Sequence, residues 1–91
     1  MHVLSVKLVF HLSHANSLKD KRQVSRSLIQ RAKQRYNVSI SEINTFDIHQ
    51  TLTIGIAIVS GERSHAQKSL DEVIRFLELN EEAELRKIEH F

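Results

Sequence analysis

Lys19, Arg22, Arg26 and Lys33 recur at spacings of three, four and seven residues, which puts four cations on one outward stripe of a helix. Arg31 and Arg35 stand one turn apart and flank the apolar arc of the same helix on its other side. Lys21 falls within that arc, so its methylene stem must run along the core edge before the ammonium reaches water. Ammonium and guanidinium groups gathered this way hold phosphate oxygens and need no catalytic partner to do so.

The charge is concentrated. Seven of the thirteen Lys and Arg residues lie between Lys19 and Arg35, opposed there only by Asp20, so the segment carries about +6 against +2 for the whole chain. Residues 1–36 hold eight basic and one acidic residue, and residues 37–91 hold five basic and ten acidic. Such a positive surface on an otherwise near-neutral domain attracts phosphate-rich partners more than net charge alone suggests.

Lys19, Lys21 and Arg22 crowd the first helical turn, where the macrodipole disfavours cations by roughly 0.3–1 kcal/mol each. Two arrangements answer this. Free backbone N–H groups and three cations together make a phosphate receptor, with Arg26, Arg31, Lys33 and Arg35 tracking a nucleic-acid backbone beyond it. Alternatively, Glu42, Asp47 or the acidic stretch Glu78–Glu84 neutralises the cluster, within the chain or from a second copy in a homo-oligomer.

Other chemistry is poorly supplied. The chain has no cysteine, which excludes disulfides and thiolate metal sites. His2, His11, His14, His49, His65 and His90 are scattered, and the close pair His11 and His14 has no implied third ligand. Asp47, His49 and a serine can be drawn as a triad, but Ser17 and Ser64 read as helix caps. The residues therefore point to a binding module, neither an enzyme nor a metal or cofactor protein.

The elements that must position these groups follow from periodicity. Leu4, Val6, Leu8, Phe10 and Leu12 alternate with Val3, Ser5, Lys7, Val9 and His11, the period of a half-buried strand. Ser17 with Asp20 forms a capping box, and Leu18, Val24, Leu28, Ala32 and Tyr36 give the helical stripe, with Asn37 as a left-handed stop. Val38 to Ile43 and Thr51 to Val59 read as two further strands joined by a loop around Thr45–His49. A second capping box, Ser64 and Gln67, opens a helix carrying Ala66, Leu70, Val73, Ile74 and Leu77. Ala83 to Phe91 reads as a last strand whose alternation slips between Leu85 and Ile88.

The order βαββαβ in 91 residues predicts one α+β domain, the ferredoxin-like sandwich, with two helices on one face of a four-stranded antiparallel sheet. Its other face has no helix to cover it, and Val9, Ala57 and Val59 there predict a homodimer, with Gly55 allowing close approach. That face offers no aromatic on strand one or strand three, which argues against base stacking on the sheet. No apolar run approaches the eighteen or so residues of a membrane span, and the N-terminus lacks the features of a signal peptide, so a cytoplasmic protein is expected.

Three strings then stand out: Ser17-Leu18-Lys19-Asp20-Lys21-Arg22, Arg35-Tyr36-Asn37-Val38-Ser39-Ile40-Ser41-Glu42, and Asp47-Ile48-His49-Gln50. They resemble the motifs of the YlxP-like family of small uncharacterised bacterial proteins, strongly so from Val3 to about Ser60. The resemblance implies a ferredoxin-like fold and, from the translation-initiation and ribosome-maturation genes that neighbour such proteins, an RNA- or ribosome-associated role. The chain departs from the family pattern at His49, where tryptophan is frequent, and at Ser13, where proline is usual.

Overall fold

The computed structural model describes residues 1–91 as β1 (His2–His11), α1 (Leu18–Arg35), β2 (Ser39–Glu42), β3 (Thr51–Ser60), α2 (Arg63–Glu78) and β4 (Glu84–His90). The strands form one antiparallel sheet in the order β2-β3-β1-β4, which is the ferredoxin-like arrangement. The two central strands are those with the cleanest alternation. They pair along their whole length, from His2 opposite Ser60 to His11 opposite Thr51.

Leu4, Val6, Leu8 and Phe10 of β1 and Leu52, Ile54, Ile56 and Ile58 of β3 bury one sheet face. Leu28 and Ala32 of α1 and Ala66, Leu70, Val73 and Leu77 of α2 join them in a single cluster, so both helices cover that same face. Tyr36 and Phe76 meet edge to face with ring centroids 5.6 Å apart and lock the helices together. Neither helix is long and apolar enough to cross a membrane.

The first cap forms as the sequence predicts. Ser17 Oγ accepts from the Asp20 N–H at 3.1 Å, and the Asp20 carboxylate accepts from the Asn16 N–H at 3.0 Å. The second capping box does not form. β3 runs to Ser60 and turns at once into a helix beginning at Arg63, so Ser64 and Gln67 already lie inside it. Glu62 is the N-cap residue without a side-chain bond, and Gln67 instead donates to Asp71 at 2.9 Å.

Helix α1 ends without a left-handed residue, because Tyr36 leaves in an extended conformation and Asn44 alone among non-glycine residues has positive φ. The slip in the last strand is a bulge. Val9 pairs with Lys87 and Phe10 with Leu85, so Arg86 is the extra residue and the alternation resumes around it. Asn80 prepares β4, its amide donating to Leu77 O and Ala83 O and its carbonyl accepting from the N–H groups of Glu82 and Ala83.

The helix-free face is less open than the sequence suggests. Ile43 and Thr45 cover one end of it, where Thr53 is buried and its hydroxyl accepts from Thr45 Oγ1 at 2.9 Å. Gly55 does permit close approach, but to Ile43 of the same chain: a Cβ there would lie 3.2 Å from Ile43 Cδ1. Lys7, Glu89 and Lys87 cross the middle as an ionic ladder, with Glu89 lying 3.5 Å from Lys7 and 2.9 Å from Lys87.

Candidate nucleic-acid interface

Helix α1 sorts its seven cations by direction. Lys21, Ser25, Leu28 and Ala32, each three or four residues from the next, are its buried positions. Lys19, Arg22, Arg26, Arg31, Lys33 and Arg35 are exposed. The inward row begins with two polar residues, a pattern visible in the sequence once Leu28 and Ala32 are taken as the anchors of the stripe.

Lys21 leaves the proposed phosphate receptor. Its ammonium does not reach water: the residue is 0% exposed and Nζ donates to the carbonyls of Thr45 and Thr51, the latter at 3.1 Å. Glu42 Oε2 stands 3.0 Å away. That contact is one of charge, since Oε2 accepts no directed hydrogen bond, while Oε1 accepts from Ser25 Oγ at 3.0 Å. Of the three neutralising partners the sequence offers, Glu42 is the one that engages, and it engages Lys21 alone. Glu42 can do so because it sits opposite Ile54 in the ladder, which turns its side chain toward the helices.

The start of α1 is already partly satisfied from within the chain. The Ser17 hydroxyl occupies the Asp20 N–H, and the Asp20 carboxylate already supplies negative charge at the positive end of the dipole. The remaining cations lie on the outer surface of the helix.

None of Lys19, Arg22, Arg26, Arg31, Lys33 or Arg35 lies within 4.0 Å of a carboxylate, for the four ion pairs are Lys7–Glu89, Lys21–Glu42, Arg86–Glu84 and Lys87–Glu89. The acidic stretch after α2 borders one flank of α1, where Glu81 and Glu82 share a hollow with Asp20, Gln23 and Val24. Lys33 belongs to the opposite flank, where it overhangs the free edge of the sheet beside Val38, Ser39 and Ile40. Helical spacing puts Arg22 and Arg26 on that flank too. Gln23, Gln30 and Gln34 fill the outer surface between Arg26 and Arg31, adding hydrogen-bonding amides without cancelling charge.

Arg35 and Arg31 are more constrained. The Arg35 guanidinium lies 5.3 Å from the Phe76 ring centroid and 5.9 Å from that of Tyr36, so it closes the joint between the helices. Arg31 Nε makes a long 3.4 Å bond to Ser27 O within its own helix. The six histidines are not brought together, and no three His, Asp or Glu side chains form a metal-ligand cluster.

A family model described as "Protein of unknown function (DUF503)" matches residues 3–90 of the chain. The chain is also 42% identical over 64 residues to "Uncharacterized protein YlxP" of Bacillus subtilis (strain 168), an alignment spanning 70% of each protein.

Proposed function

The chain belongs to the DUF503 family of proteins of unknown function, and from that premise we propose that it is a non-enzymatic cytoplasmic module that binds structured RNA or a ribosomal particle through α1. One observation carries the reading: six exposed cations share one helix, and none of them has a carboxylate within ion-pair reach. Exposed cations left unpaired in this way are available to phosphates, and contacts of that kind position a nucleic acid with little base readout. A place in translation or ribosome maturation, which the likeness to YlxP-like proteins implies, is consistent with such a surface.

The test is direct. Purified protein is washed at rising salt and its nucleic-acid content followed by ultraviolet absorbance, then its affinity for a structured RNA is measured across the same salt range. Binding that weakens linearly in log–log form with salt supports the reading. Absence of binding at the lowest salt overturns it.

A homodimer through the helix-free sheet face is the second reading, and it requires no nucleic acid. Val3 and Val59 pair across the two central strands and remain 58% and 62% exposed, which leaves an apolar spot at one end of that face.

A further inference from the structure

The loop of residues 43–50 ends in an exposed aromatic held by unusual effort. Phe46 is 53% and Ile48 52% exposed. Single exposed apolar residues are ordinary, but this tip stands on a built pedestal. Asn44 adopts φ 64° to turn the chain. The buried Lys21 ammonium grips the carbonyls on either side of the tip, at Thr45 and Thr51. Thr45 is further tied to Thr53, and the Gln50 carbonyl accepts from the Leu12 N–H at 2.9 Å. All of these bonds fix backbone or pedestal side chains, and none uses Phe46's ring, which is left half exposed.

The pedestal also fixes where that ring is. Lys21 belongs to the first turns of α1 and is followed immediately by Arg22. Glu42, the last residue of β2, meets Ser25 one turn later. The tip therefore leaves the sheet at the same end of the molecule as the start of the basic flank. An aromatic at the same end of the molecule as a row of exposed cations suits a ligand carrying both phosphates and flat rings, because base–aromatic stacking adds to charge neutralisation. Every nucleotide joins a phosphate to a flat ring, whereas an acidic peptide offers a ring only where its sequence includes an aromatic side chain.

Resting on the RNA reading above, we propose that Phe46 stacks on an unpaired base, so that the preferred RNA carries a single-stranded nucleotide next to the phosphates held by α1. The two central strands carry no aromatic on the helix-free face, and the loop supplies one at the end where α1 begins.

The experiment compares a labelled blunt RNA duplex with the same duplex bearing a single-stranded extension, by fluorescence anisotropy. The native protein is expected to bind the extended RNA about tenfold or more tightly. Phe46→Ala should abolish that preference while leaving affinity for the blunt duplex and the melting temperature unchanged. The chain contains no tryptophan and one tyrosine, so Phe46→Trp introduces a lone tryptophan that can be excited selectively over Tyr36. It should keep the preference and be quenched by the extended RNA but not by the blunt one. Equal, salt-sensitive binding of both RNAs by the native protein and by Phe46→Ala overturns the stacking contact and leaves the RNA reading standing. Failure to bind either RNA at low salt overturns both.

Discussion

The ammonium of Lys21 and the carboxylate of Glu42 lie 3.0 Å apart beneath the first turns of α1, with the lysine sealed from solvent. This pair ties the helix to the edge strand and, through the Thr45 and Thr51 carbonyls, to the loop that follows it. It divides a cluster of three neighbouring cations into one structural member and two free ones.

Removing the ammonium while keeping its partners is therefore costly. Lys21→Met leaves Glu42 unpaired and two carbonyls without their donor, a loss of about 3 kcal/mol. In a domain of this size the melting temperature should fall by more than about 10 °C. Lys21→Met combined with Glu42→Leu should recover part of that loss, since an apolar pair of similar volume can replace a buried ionic one. A thermal melt of Lys21→Met indistinguishable from the native one would show that the pair contributes nothing.

The exposed flank should behave in the opposite way. Replacing Arg22, Arg26 and Lys33 together by Gln should leave stability within about 0.5 kcal/mol per site, because none has an ion-pair partner to lose. The same variant should bind RNA more weakly, with the log–log salt slope reduced by about 0.7–0.9 for each phosphate contact removed. A clear drop in stability with unchanged binding would make this face scaffold.

The dimer reading concerns the other side of the sheet. Light scattering at micromolar concentration should give twice the 10.5 kDa chain mass, and Val59→Lys should restore the single-chain value by placing a charge in the apolar spot. A native sample that scatters as one chain at every concentration removes the dimer.

Glu89 offers a pH signature on that same face. Its hydrogen bond from Lys87 holds the carboxyl below the ordinary glutamate range, partial desolvation opposes this, and the charges of Lys7 and Lys87 add to the lowering. A carboxyl depressed by folding stabilises the native state above its unfolded pKa, and that contribution is lost as pH falls through the folded value. An NMR titration should find Glu89 below the ordinary glutamate range, and Lys87→Ala should move it upward. A Glu89 that titrates at the ordinary value would mean the ladder does not persist in solution.

Much of this protein is encoded locally. Alternation in His2–His11 and Thr51–Ser60, the cap at Ser17 and the apolar row of α2 each depend on residues a few positions apart, and they determine the strands, the helices and their ferredoxin-like order. The charge polarity of the two ends of the chain is likewise a property of the sequence. What the tertiary structure decided was the direction of particular side chains. Lys21 turned inward because Glu42 and the Thr45 and Thr51 carbonyls, remote in sequence, converge under α1 only after β2 and β3 have paired. Ile43 and Thr45 covered Gly55 and Thr53 for the same reason, narrowing the open sheet face. The Ser64 box failed because β3 and α2 meet across too short a turn. Periodicity records which face a residue occupies relative to its neighbours, whereas the partner it meets there is set by sheet register and loop path, and those exist only in the folded chain.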